Sequence, residues 1–295
     1  MVTVLALTGA LLFGLASVLQ HRAAQTVHPE RSLRPGLLVD LARKPVWLAG
    51  QVTAMFGFAA QAVALSFGAL SVVQPLLVTR LVFGLVFASR LSRQALASKE
   101  WAGALAIVGG LGVFLIAASP VEGTAVVGTR GWLGVLLATA VPAIALAALA
   151  PRAPGIPRAM MLAAAGALLF VATTTLTKVV GHDMRGDALD VLRSWKLYAL
   201  APTGLAAMVL VQSAFMAGPI RASLAVVTCV ECLGAIAVGA LFLQEAASTQ
   251  ALDVGVEALA LVAVIWGIVA VARSPVLVAT LEPHADPPGE DAAAS

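Results

Sequence analysis

The sequence predicts an all-α polytopic membrane protein, and its composition and hydropathy pattern carry that prediction. Of the 295 residues, 60% are hydrophobic and only 11% are Asp, Glu, Lys or Arg, whereas a soluble domain is about 45–50% apolar and about 25% charged. The mean hydropathy is +0.98, and apolar stretches recur at lengths that suffice to cross ~30 Å of hydrocarbon. This composition excludes a water-soluble enzyme, a nucleic-acid-binding protein and a disordered chain.

We expect nine transmembrane helices. The predicted spans 1 to 9 cover residues 2–20, 46–66, 70–89, 101–118, 131–150, 159–180, 196–217, 220–243 and 254–272. Each should be helical, because backbone in lipid must satisfy its own hydrogen bonds. The first span could instead be a signal peptide, but it lacks a basic residue before it and a convincing cleavage site after it. It is therefore interpreted as a retained helix.

Lys and Arg residues are unevenly distributed between the loops, which indicates the orientation. If the N-terminus is outside, twelve of these residues lie on the cytoplasmic side, namely Arg22, Arg31, Arg34, Arg43, Lys44, Arg90, Arg93, Lys99, Arg152, Arg158, Arg221 and Arg273. The outer loops then hold four, which are Arg130, Arg185, Arg193 and Lys196. Basic residues favour cytoplasmic loops, so we predict a protein of the cytoplasmic membrane with its N-terminus outside and its C-terminus in the cytoplasm.

Spans 1–4 resemble spans 6–9, which predicts an internal repeat. Residues Gly9–Phe13 recur as Gly166–Phe170, and Trp47 and Trp195 open spans 2 and 7. A displacement of five helices gives each helix the opposite direction to its counterpart, so the repeat is inverted, a frequent construction of secondary transporters. The predicted organisation is a first repeat over 1–120, a linking helix 5 with its loops over 121–158, a second repeat over 159–275 and a disordered cytoplasmic tail over 276–295.

Two motifs resemble a known superfamily. Residues Leu241–Glu245 (LFLQE), followed by a helix that ends in Trp266-Gly267, resemble the Leu-Phe-Leu-Gly-Glu pattern of EamA-type repeats in the drug/metabolite transporter superfamily. Residues Gly68–Leu77 are similar to the turn that enters the third helix in the NIPA-type magnesium transporter branch. The resemblance covers residues 1–275 and implies solute transport. The chain departs from the usual member in having nine spans rather than ten, and in having Gln244 where the family has Gly.

Two charges lie deep in the predicted spans. Arg80 is central in span 3 and Glu231 is central in span 8, and these two spans are repeat partners. An unpaired charge at the centre of a transmembrane helix costs roughly 2.5–3.5 kcal/mol on insertion scales. The two side chains should therefore face each other or a wet cavity. Two interpretations remain open, a substrate site at mid-membrane and a static ion pair that holds the two helices together.

Further polar residues are predicted to line a shared interior. They are Gln74 beside Arg80, Thr228 one turn from Glu231, Gln61 in span 2, Gln212 in span 7, and Thr174 and Thr177 in span 6. Taken alone, a residue of this kind more often makes a hydrogen bond between helices or to the backbone than it binds a ligand. Lys178 could pair with Glu257 as an outer gate, although a lysine near a span end also reaches the interface by extending its side chain. Cys229 and Cys232 are interpreted as packing residues.

We expect a secondary transporter that works by alternating access on a small polar metabolite or Mg²⁺, with Glu231 as the metal-binding carboxylate in the latter case. The alternative is a non-transporting membrane partner or scaffold subunit of an envelope system. An enzyme is not expected, because the spans hold neither paired carboxylates nor a Ser/His/Asp set. No cofactor is implied. The expected partners are a small-molecule or ion substrate and the lipid bilayer, not nucleic acid, and the chain is expected to be a monomer or a homodimer.

Overall fold

A computed structural model describes residues 1–24, 43–93, 95–118, 128–185, 188–217, 220–245 and 251–275. Over these ranges the chain forms helices and no strand. The α-helices are α1 Val2–Ala24, α2 Pro45–Ser66, α3 Leu70–Val78, α4 Arg80–Ser92, α5 Ser98–Ala118, α6 Thr129–Leu149, α7 Gly155–Asp183, α8 Ala188–Arg193, α9 Trp195–Ala217, α10 Ile220–Phe242 and α11 Ala251–Ala272. The predicted tail over 276–295 lies outside the described residues.

Nine helical segments of the described chain are long and apolar enough to cross a membrane. They are Val2–Gln20, Pro45–Ser66, Leu70–Leu91, Ser98–Ala118, Arg130–Arg152, Gly155–Asp183, Trp195–Ala214, Ser223–Phe242 and Val254–Ala272. Large apolar side chains such as Ile116 and Leu259 are 79% and 72% exposed, which lipid accommodates and water does not. Over the described residues, the prediction of an all-helical chain with nine segments that could span a membrane is confirmed.

The third span is divided into two helices, α3 and α4. Pro75 has no N–H group, so the carbonyl of Ser71 loses its helical partner. The regular helical hydrogen-bond pattern is interrupted four residues later at Thr79, whose N–H is shared between the carbonyls of Leu76 and Leu77. The Thr79 hydroxyl donates to the Leu76 carbonyl at 2.6 Å. Arg80, the first residue of α4, therefore follows directly on a break in the helix.

The other two prolines that fall within spans do not divide them. Pro142 lies inside α6 and Pro202 inside α9, and both helices continue without interruption. Proline in the interior of these two helices therefore does not end them. Neighbouring helices and local adjustment of the backbone allow a transmembrane helix to tolerate proline.

Helix packing places α3 in the interior. Helix α1 packs along α2 and against α3 and α4, α7 packs along α9 and α10, and α3 meets α10 between these two groups. Helix α5 packs along α11, where a Cβ added to Gly110 would lie 2.9 Å from the carbonyl oxygen of Ala260. Close approach of these two helices therefore requires glycine at position 110.

Candidate functional site

Arg80 and Glu231 form an ion pair between α4 and α10. The Nη2 group of Arg80 donates to Oε2 of Glu231 at 2.6 Å, and the two side chains are 22% and 11% exposed. The structure thus confirms the predicted juxtaposition of the two central charges. The short distance and partial burial make this a charge-assisted hydrogen bond of the strong class.

A small cavity opens beside this ion pair. It is open on one side and has room for about one water molecule, and its polar lining comes from Gln74, Arg80, Thr228 and Glu231. Leu77, Val78 and Cys232 complete the wall. Thr228 and Glu231 lie one helical turn apart on α10, so both project from the same face of that helix. The break between α3 and α4 brings Gln74 and Arg80 to the facing wall.

Two polar atoms in this wall have unmet hydrogen-bonding capacity. Gln74 is 2% exposed and Thr228 is 1% exposed, and within the described part of the chain neither Gln74 Nε2 nor Thr228 Oγ1 has a hydrogen-bond partner. Leaving a buried donor or acceptor unsatisfied costs about 1–3 kcal/mol. The cavity therefore offers hydrogen bonds to a small polar molecule, and these two atoms are called the unmet pair below.

The other predicted pathway residues lie elsewhere. Gln61 is buried in α2, and Thr174 and Thr177 are buried in α7, where their hydroxyls donate to the carbonyls of Phe170 and Thr173. None of the three lines the cavity. Gln212 is exposed on α9, so the prediction that it lines a polar interior is wrong. An apolar helix with similar faces gives no indication of the direction in which its single glutamine points.

The acidic partner of Lys178 is Glu245 rather than Glu257, which corrects the predicted gate. The Nζ group of Lys178 donates to Oε1 of Glu245 at 2.6 Å and to the carbonyl of Gly68 at 3.0 Å. Both charged side chains are 1% exposed, so Lys178 does not extend to the interface. Glu257 is partly buried in α11.

Glu245 also binds the first turn of α3. Its Oε1 accepts the N–H of Leu70 at 2.5 Å, and its Oε2 accepts the N–H and the hydroxyl of Ser71 at 2.9 and 2.7 Å. A carboxylate at a helix N-terminus satisfies donors that the helix itself leaves open. Glu245 therefore caps the N-terminus of α3 at Leu70, which lies four residues before Gln74 in the sequence. The sequence reasoning missed this role, although the LFLQE motif marked the residue.

The residue before Glu245 has an unusual backbone conformation. Gln244 has a φ of 52°, a left-handed conformation that glycine adopts readily and other residues rarely do. This explains why the resembling pattern has glycine at that position. The turn at Gln244 directs the chain from the end of α10 back toward the N-terminus of α3, where Glu245 binds.

The two cysteines are free, and Cys232 is buried in the cavity wall. In the part of the chain that the structure describes, no three His, Cys, Asp or Glu side chains cluster where they could hold a metal ion. The groups that the described residues place at the cavity are therefore one carboxylate, one amide, one hydroxyl and the Cys232 thiol, next to a guanidinium group.

The chain is 30% identical to an uncharacterized protein of Corynebacterium glutamicum over 243 residues, which cover 81% of this chain and 83% of that protein. No family model matches the chain, and no solved structure does. The aligned region extends over most of both proteins, so it includes most of the transmembrane helices. The chain belongs to the same family as the Corynebacterium protein.

Proposed function

We propose that the protein is a secondary transporter that moves a small polar solute across the cytoplasmic membrane by alternating access. The observation that carries this proposal is the cavity at the break between α3 and α4, where two buried polar atoms beside an ion pair have no hydrogen-bond partner among the described residues. Transporters bind their substrates near the middle of the membrane, commonly where a transmembrane helix is discontinuous. The proposed orientation places the N-terminus outside and the C-terminus in the cytoplasm.

An inverted repeat would allow the two halves to rock about this cavity, and the helix contacts support such a repeat. The pairing of α1 with α2 recurs as that of α7 with α9. A Cβ on Gly9 would lie 3.2 Å from the carbonyl oxygen of Gly57, and one on Gly166 would lie 3.0 Å from that of Ala207. Matching glycines thus occupy matching contacts, which also supports membership of the drug/metabolite transporter superfamily.

The cavity favours a small metabolite over Mg²⁺ as the substrate. Magnesium sites use one or two carboxylates and keep several water molecules. Among the described residues, Glu231 is the one carboxylate in the cavity wall, and its Oε2 is bound to Arg80 at 2.6 Å. A divalent cation there would meet the guanidinium group at close range, and the repulsion would oppose binding.

Accessibility of the cavity from the two sides of the membrane tests the proposal. Single cysteines at Gln74 and Thr228, introduced into a C229A/C232A background, are treated with a small membrane-impermeant thiol reagent in right-side-out and inverted vesicles. A transporter exposes the cavity to each side in turn, so both positions should react from both sides. Val73 is fully buried next to Gln74, so Val73→Cys is the matched control and should react from neither side.

A scaffold subunit predicts a different labelling pattern. If the ion pair merely holds the helices together, Gln74→Cys and Thr228→Cys should be as unreactive as Val73→Cys in both kinds of vesicle. That result would contradict transport through this cavity and favour the alternative of a non-transporting membrane partner.

A further inference from the structure

The charges of the cavity wall cancel each other. Arg80 and Glu231 contribute one positive and one negative charge, and they are joined at 2.6 Å. The remaining polar groups that line the cavity, on Gln74 and Thr228, are uncharged. The described wall of the cavity is therefore electrically neutral, and its two charged groups are paired with each other.

The groups of the cavity wall that can still form hydrogen bonds are uncharged. Gln74 Nε2 is a donor only, and the Thr228 hydroxyl is both a donor and an acceptor. Both atoms are buried and, within the described ranges, unsatisfied by the protein. A ligand that offers an acceptor to Gln74 and a polar group to Thr228 would satisfy both without breaking the ion pair.

A ligand with a net charge would be bound less favourably. A cation would be repelled by Arg80 and an anion by Glu231. Because the two wall charges already cancel, the charge of either ligand would remain without compensation in a partly buried site, where net charge is costly. A solute whose charges cancel internally, or that has none, avoids this cost.

We propose that the cavity binds a small polar solute of zero net charge, and that Gln74 and Thr228 determine this specificity. The inference rests on the proposed transport function and names its substrate class.

Four probes of nearly equal shape test this inference. Alanine is a zwitterion, lactamide is uncharged, lactate is an anion and alaninamide is a cation, and each has about six non-hydrogen atoms. Thermal unfolding of the purified protein is measured with each probe at the same millimolar concentration and ionic strength. Binding to the folded state raises the melting temperature, so alanine, lactamide or both should raise it, and lactate and alaninamide should not.

Two variants assign the effect to the cavity. Thr228→Val removes the unmet hydroxyl with little change of shape and should abolish the shift caused by the neutral probe. Thr53→Val is the matched control, because the Thr53 hydroxyl is bound to the Ala49 carbonyl in α2, and it should keep the shift.

Three results would overturn the inference. A larger shift from lactate or alaninamide would mean that the site selects a charged solute. No shift from either neutral probe would mean that water alone occupies the cavity, and a shift retained in Thr228→Val would place binding elsewhere. The labelling of Gln74→Cys and Thr228→Cys judges transport independently, so a protein that labels from both sides but prefers a charged probe would keep the function and lose this substrate class.

Discussion

Two ion pairs in the described part of the chain lie at opposite ends of the same short helix, α3. Lys178 and Glu245 meet at the N-terminus of α3 and are each 1% exposed. Arg80 and Glu231 meet just beyond its C-terminus and are 22% and 11% exposed. Both pairs have an N–O distance of 2.6 Å, so distance alone does not separate them.

The two ion pairs differ in whether the polar groups around them have hydrogen-bond partners. Four donors bind the two oxygens of Glu245, namely the Lys178 ammonium, the N–H groups of Leu70 and Ser71, and the Ser71 hydroxyl. Beside Arg80 and Glu231 lie a cavity and the unmet pair. Buried charge is therefore weak evidence of a binding site here, and unused hydrogen-bonding capacity next to open space is the better indicator.

The largest expected effect on stability comes from breaking the Lys178–Glu245 ion pair, which we call the enclosed pair. Glu245→Gln leaves the Lys178 ammonium buried without its counter-charge, and breaking a buried ion pair by removing one partner costs about 3–5 kcal/mol. The free energy of unfolding should fall by that order, and the yield of folded protein should fall with it. Thermal unfolding in detergent, followed by tryptophan fluorescence, measures the change.

The double variant Lys178→Met/Glu245→Leu is the control for this prediction. It removes both charges together, so no uncompensated charge remains, and it should be less destabilised than Glu245→Gln. Equal melting temperatures for Glu245→Gln and the unmodified protein would contradict the structural role assigned to this pair.

The two pairs also differ in how well the sequence predicts them. Arg80 and Glu231 are predictable because each is an isolated charge in the middle of a long apolar helix, where few alternatives to pairing exist. Glu245 follows the end of α10, and its contact with α3 depends on the left-handed conformation of Gln244. A local turn of that kind leaves no periodic pattern in the sequence, so the partner of Lys178 was mispredicted.

The number and the bounds of the helices were the easiest features to predict. Apolar stretches and the loops between them reflect the thickness of the bilayer, and all nine predicted spans have counterparts among the described helices. The face that a polar residue occupies is harder to predict, as Gln61 and Gln212 illustrate, since one is buried and the other is exposed. The cavity itself depends on the packing of α3 against α10, which no single segment specifies.

Breaking the Arg80–Glu231 ion pair, which we call the cavity pair, should lower the stability less than breaking the enclosed pair does. It should reduce ligand binding more. Glu231→Gln leaves Arg80 without its counter-charge, but both side chains are partly exposed, so we expect a loss of about 1–3 kcal/mol. The neutral probe that stabilises the unmodified protein should no longer raise the melting temperature. A Glu231→Gln variant as unstable as Glu245→Gln would show that the cavity pair is a structural pair like the other.

The smallest expected effects on the free energy of unfolding come from removing one hydroxyl beside each ion pair. The two changes should have opposite signs. The Ser71 hydroxyl donates to Glu245 at 2.7 Å, so Ser71→Ala should lower the free energy of unfolding by about 1 kcal/mol. The Thr228 hydroxyl is buried and without a partner in the described chain, so Thr228→Val removes an unsatisfied group and should raise that free energy by about 0–1 kcal/mol. Thermal unfolding of both variants without added ligand measures the two changes.

A clear loss of stability in Thr228→Val would mean that the folded protein already satisfies this hydroxyl, and the cavity would then resemble the enclosed pair. A gain, together with loss of the response to the neutral probe, is the expected signature of a binding group that the protein maintains at a cost to its own stability.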